Sequence, residues 1–265
     1  MIQNADRGLK EKEYTVYIND DGIRLNVKID MPCPAPEKCP LVIIIHGFTG
    51  HMEERHILAV SQMLNEIGLA TLRVDMYGHG NSGGEFRNHT LFKWMTNAMT
   101  VIDYARTLDF VTDIYLCGHS QGGLTVILAA ALKQDVIKGI IPMSPGIVMP
   151  ECARQGNLLG IEFDPDHIPE EIRSPDGWTL SGNYIRVAQT IHVKEAISRF
   201  KGPVLLVHGD ADETIPVQGS KDAVKLYSNA KLVIIPGDTH CYDYHLDAVV
   251  DAVRNWMLEQ ISLVV

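Results

Sequence analysis

The sequence predicts an α/β domain: a mostly parallel central sheet with helices on both faces, an N-terminal antiparallel hairpin and a small inserted cap. Three observations predict it. Short runs rich in Val and Ile alternate with longer segments whose apolar residues recur at helical spacing, the pattern of successive βαβ units. The alternation stops between Pro145 and Phe200 and then resumes. The 265 residues, 46% hydrophobic and 21% charged, supply one sizeable core.

Taken in order, Tyr14, Val16 and Ile18, then Ile23, Leu25, Val27 and Ile29, alternate on either side of Asn19-Asp20-Asp21-Gly22. They predict a hairpin with one wet face. After a Pro-rich loop, LVIII (41–45) reads as a buried strand, and Ile57, Val60, Leu64 and Ile67 mark a helix. ATLRV (70–74), 114–117 and 137–143 are strands, and 91–108 and 121–133 helices. After the break, PVLLV (203–207) and KLVII (231–235) are strands, with a helix near 217–228 between them. A last helix carries the stripe Leu246, Val249, Val250, Val253, Trp256 and Met257. The core therefore takes residues 1–144 and 201–265, and 145–200 form the cap. A long excursion inside a compact domain is usually a lid or binding element.

With 23 basic and 33 acidic residues the net charge is −10, which disfavours nucleic acid and anionic membranes as partners. The five cysteines are odd in number and scattered, as reduced thiols are; a Cys33–Cys39 pair stays open. No segment has the roughly 18 apolar residues of a membrane span, and MIQNADRGLKEKEY has no apolar signal core, so a cytoplasmic protein is expected. A homodimer is left open.

The chemistry centres on LCGHSQGGLTV (116–126), where a polar Gly-rich cluster separates a strand from a helix. Gly118-His119-Ser120-Gln121-Gly122 matches G-x-S-x-G, in which a nucleophile sits on a strained strand-to-helix turn that needs small neighbours. A serine hydroxyl needs a base, and this arrangement takes its acid and then its base downstream. His240, in IIPGDTHCYD after the last strand, fits the base; His245 reads as a surface residue and His208 as structural. In HGDADETIP, Asp212 is chosen as the acid because it lies beyond the strand end, whereas Asp210 is expected to cap the turn. In IIIHGFTGH, the N–H of Phe48 joins that of Gln121 as the expected oxyanion hole.

The set HGFTG, DMYGHGNSGG, GHSQGG, HGDADETIPV and GDTHCYD resembles the α/β-hydrolase superfamily, and within it the bacterial feruloyl and cinnamoyl esterases. The resemblance covers nearly the whole chain. It implies an α/β-hydrolase fold, a Ser120-His240-Asp212 triad, an oxyanion hole at Phe48 and Gln121, and a small cap over the pocket.

Gly78-His79-Gly80-Asn81-Ser82-Gly83 also satisfies G-x-G-x-x-G, but it follows the wrong βα unit and no helix opens after it, so a nucleotide site is rejected for a tight loop near the active-site mouth. The eleven histidines form no HExxH or HxH motif, so no metal and no cofactor are expected. Cys241 lacks an elbow and is read as a bystander.

The expected substrate is a small-molecule ester with an aryl acyl group such as a hydroxycinnamate, held by Trp178 in the cap, with Tyr184 and Gln155 bonding a phenol. Monoacylglycerol, or short-chain acyl esters in general, is the rival. Residues 151–178 carry seven acids against Arg154 and Arg173, a charge that anionic lipid would repel. A non-catalytic ligand receptor is the alternative of a different kind, disfavoured by the intact Ser, His and Asp.

Overall fold

The computed structural model describes residues 13–262. Strands β1 (Glu13–Asp20) and β2 (Ile23–Asp30) pair antiparallel about Asp21-Gly22. The chain continues through β3 (Cys39–Ile45), α1 (Arg55–Glu66), β4 (Ala70–Val74), α2 (Leu91–Ala105), β5 (Val111–His119), α3 (Gln121–Leu132) and β6 (Ile137–Met143). An excursion follows: α4 (Met149–Arg154), the hairpin β7 (Asn157–Leu158) and β8 (Ile161–Glu162), the hairpin β9 (Glu171–Arg173) and β10 (Thr179–Ser181), then α5 (Asn183–Gln189) and α6 (Val193–Arg199). The sheet is completed by β11 (Val204–Gly209), α7 (Gln218–Leu226) and β12 (Ala230–Ile235), and α8 (Leu246–Ser262) closes the described chain.

Eight strands form one sheet in the order β1-β2-β4-β3-β5-β6-β11-β12. The pairings from β4 to β12 are parallel; β2 joins β4 antiparallel. The chain leaves β3 towards β4, then returns to the other side of β3 as β5. The loops leaving the carboxyl ends of β3 and β5 are thus neighbours at the point where the winding reverses, the place where such sheets bind ligands.

Both faces are covered, which is why β3 is a continuous apolar run. Leu41, Ile43 and Ile45 join the core that includes Trp94, Ala98, Val101 and Ile102 of α2. Val42 and Ile44 join the opposite core, with Val60 and Leu64 of α1 and Val249, Val253, Trp256 and Met257 of α8. Leu246 and Val250 of the expected stripe are partly buried against that core. Helix α3 is buried along nearly its whole length because α2 and α6 pack on it, so its apolar residues form no stripe.

The main elements fall where periodicity put them, with two differences at ends. Strand β5 runs from Val111 to His119, longer than its apolar segment, because pairing to β3 and β6 continues through Gly118. Helix α2 stops at Ala105. The excursion is tied by its own polar contacts: Arg154 donates to the carbonyls of Gln189 and Ile191, and the Gln189 amide to those of Ala153 and Pro165. All five cysteines are free, Cys33 exposed and Cys39 buried. Among the described residues no helix is long and apolar enough to cross a membrane.

Candidate active site

Ser120 sits between β5 and α3 with φ 56° and ψ −117°, a conformation unfavourable for any residue with a Cβ. Such strain costs about 1–3 kcal/mol and persists only where surroundings over-determine it. Here the Ser120 N–H donates to Met143 O at 2.9 Å, and the Ser120 carbonyl accepts from Gly146 N–H at 2.9 Å and Leu124 N–H at 3.0 Å. The flanking glycines are needed for space. A Cβ on Gly118 would strike the Gly122 carbonyl, and one on Gly122 the carbonyls of Ile45 and His46.

The loop after β3 reaches the same place. A Cβ built on Gly47 would lie 3.1 Å from Ser120 Cβ, so the backbone entering Phe48 passes directly beside the serine. Neither the Phe48 nor the Gln121 N–H has an acceptor among the described residues. Both N–H groups are therefore left without an acceptor at the serine's turn.

Asp212 and His240 meet on the loops after β11 and β12. His240 Nδ1 donates to Asp212 Oδ2 at 2.7 Å, which turns Nε2 away from the carboxylate. The Asp212 carboxylate is wholly buried and accepts three further bonds: His208 Nε2 at 3.1 Å, Thr214 N–H at 2.9 Å and Ile215 N–H at 2.8 Å. Burial opposes its ionisation, but the hydrogen bonds from His208 and His240 outweigh this and hold its pKa well below the usual carboxylate range. Among the described residues no hydrogen bond joins Ser120 Oγ to His240. Such bonds commonly tighten only with substrate in place.

The structure thus brings Ser120, Phe48 and Gln121 together at one turn, and His240 and Asp212 together beside it. The part played by His208 was not legible in the sequence. Its Nδ1 faces Ser220 Oγ at 2.8 Å, and its Nε2 lies between Asp212 and the Ile215 carbonyl. It fastens the acid from behind. Asp210 does not cap its own turn; its Oδ1 accepts the Gly237 N–H across the gap to the next loop, and Asp212 is the residue that caps the turn. His245 is exposed and precedes α8, its N–H donating to Asp238.

The substrate contacts expected of the inserted segment fare differently. Trp178 is half-buried, packs edge-on to Phe48 at 5.1 Å, and lines a cavity of about 300 Å³ with Thr49, Gly50, His79 and Phe86. The Tyr184 side chain is fully buried, and its hydroxyl donates to Gln121 Oε1. Gln155 is exposed, and its amide folds back onto Glu151 of the preceding helix. The 78–83 glycine loop is gathered by the Asp75 carboxylate, which accepts from Asn81 N–H and Met52 N–H, and its first residues line the same cavity.

The chain is similar to several known proteins. A family model described as "Serine aminopeptidase, S33" matches residues 36–161, and one described as "TAP-like protein" matches residues 177–260. The structure of Est1E from Butyrivibrio proteoclasticus with ferulic acid bound is 62% identical, covers 93% of this chain and 99% of that one, and superposes with a TM-score of 0.92. A monoacylglycerol lipase from Mycolicibacterium smegmatis is 24% identical over 91% of this chain and 95% of its own length. The mitochondrial palmitoyl-protein thioesterase ABHD10 of Homo sapiens is 24% identical over 68% of this chain. The chain spans 54% and 59% of the length of the first curated relatives it matches. A strained serine elbow at the sheet's switch point, an aspartate-held histidine beside it, and identity at this level to Est1E lead to one assignment: the chain belongs to the α/β-hydrolase superfamily of serine hydrolases.

Proposed function

We propose that this protein is a carboxylic ester hydrolase acting on hydroxycinnamate esters through a Ser120-His240-Asp212 triad, with residues 145–200 as a cap. The observation that carries the reaction is the Asp212–His240 bond of 2.7 Å, on loops adjoining the strained Ser120 turn. The acyl preference rests on 62% identity to a protein whose structure holds ferulic acid. It rests also on an aromatic wall, Trp178 and Phe86 against Phe48, suited to a planar acyl group.

In this mechanism Ser120 Oγ attacks the ester carbonyl while His240 Nε2 takes the hydroxyl proton. Asp212 keeps the imidazole in the Nδ1–H tautomer and stabilises the imidazolium without itself taking the proton. The tetrahedral oxyanion accepts from the N–H groups of Phe48 and Gln121, aided by the positive end of α3. The alcohol departs with the proton from His240, and water, activated by the same base, releases the acid and regenerates Ser120.

Monoacylglycerol remains the second reading, favoured by the end-to-end match to the mycobacterial lipase. The seven acids of 151–178 disfavour an approach to anionic lipid surfaces. We also place the enzyme in a reducing compartment, on its five free cysteines.

Turnover of methyl ferulate against a monoacylglycerol decides between the substrates. Faster monoacylglycerol hydrolysis would reject the hydroxycinnamate reading. Labelling by a phosphonate ester, mapped by mass spectrometry, tests the nucleophile; an adduct anywhere but Ser120 overturns the triad.

A further inference from the structure

The mechanism above makes no use of His119, the residue between Gly118 and the nucleophile. Its side chain is 3% exposed, and its ring is held on three sides: by His56 at 4.2 Å, His240 at 4.7 Å and Tyr242 at 6.0 Å between centroids. Nε2 lies 2.8 Å from the backbone carbonyl oxygen of His240. A carbonyl only accepts, so Nε2 must carry the ring proton and donate it. Nδ1 is then a bare lone pair, buried with no hydrogen-bond partner among the described residues and walled by Gly47, on which a Cβ would lie 3.1 Å away. Burial, reinforced by the neighbouring His56 and His240, depresses the pKa of His119 well below the ordinary value, so the ring stays neutral.

Asp212 fixes how the His240 ring is turned, but its bond does not set how far the loop carrying His240 stands from the nucleophile. His119 is placed to do that. It is one peptide bond from Ser120, on a turn that strain and three backbone hydrogen bonds make rigid. Its ring reaches a loop 121 residues away in sequence. A phenylalanine would fill the same space without the bond.

We propose that His119 is a positioning residue, tying the backbone of the His240 loop to the nucleophile's turn through an Nε2–H···O=C hydrogen bond and so setting the Ser120-to-His240 separation. The consequence for catalysis rests on the hydrolase reading above; the bond itself does not.

The test has two arms. Long-range ¹H–¹⁵N spectra of the histidine rings in the intact protein at pH 7 should show His119 as the Nε2–H tautomer. An Nδ1–H tautomer would overturn the proposal whether or not the protein hydrolyses esters. In the second arm, His119→Leu should lower kcat for methyl ferulate on the order of 10- to 100-fold with KM changed less than about twofold. His119→Gln, whose amide N–H reaches about as far as Nε2, should keep at least about a third of wild-type kcat. Equal losses in the two variants, or a loss carried by KM, would refute the positioning role. Should His119→Leu not fold, the glutamine variant and the tautomer still decide. Wild-type turnover that persists in Ser120→Ala would instead sink the hydrolase reading, leaving the tautomer to judge the bond.

Discussion

His208 and His240 converge on a single oxygen, Oδ2 of Asp212, at 3.1 Å and 2.7 Å, while Oδ1 accepts two backbone N–H groups. One buried carboxylate thus orients the imidazole proposed as the base and shapes its own turn. Asp212→Asn keeps the volume but puts an NH₂ among donors, so at least one of those bonds must break. A loss of kcat on the order of 10³- to 10⁴-fold on methyl ferulate is expected, from the wrong histidine tautomer. Loss below tenfold would show that Asp212 does not hold the base.

Acid should destabilise the protein through its buried histidines. Burial is the main cause that lowers His46 to about 3, His56 to about 4 and His89 to about 3. Each is released on unfolding to bind a proton near pH 6.5. Because the folded values are depressed, this stability is complete above about pH 6.5 and is lost as the pH falls towards 3–4. Urea unfolding at pH 7.5 and pH 5 should differ by several kcal/mol, since each such histidine contributes up to about 1.4 kcal/mol per pH unit. Equal unfolding free energies at the two pH values would contradict neutral burial.

Gly122→Ala should fail at the elbow. The added methyl meets the carbonyls of Ile45 and His46, both backbone atoms that cannot swing aside. Crowding of this kind costs about 1–3 kcal/mol, and the shift it forces separates Ser120 from the Phe48 loop. The expected result is a lower thermal midpoint together with activity reduced on every ester tried. Wild-type kcat in this variant would mean the turn is looser than described.

Tyr184→Phe discriminates between a ligand-binding and a supporting hydroxyl. The bond to Gln121 is internal, so its loss should lower stability by about 1–3 kcal/mol and reduce kcat/KM equally for methyl ferulate and methyl cinnamate. A selective loss on the ferulate ester, which alone has the phenol, would make Tyr184 a substrate contact.

What could be read early and what could not divides along a physical line. The strands and large helices were legible because a sheet covered on both faces demands unbroken apolar runs, as in LVIII, and amphipathic helices repeat their apolar residues, as in α1 and α8. Gly118-x-Ser120-x-Gly122 was legible for a steric reason, since any Cβ at either glycine strikes backbone. The short elements of 145–200 were not, because strands of two or three residues and helices of six or seven have no period to detect.

By itself the sequence determined the alternating architecture, the elbow, and the chain order that singles out Asp212 and His240, because these depend on local backbone geometry and on apolar spacing. Only the tertiary structure decided that His208 backs the acid, that Asp210 bonds Gly237, that Tyr184 serves Gln121 and that Gln155 faces solvent. A side chain's hydrogen-bond partner is whichever group the packing of distant loops brings within about 3 Å, and no local pattern in the chain encodes that distance.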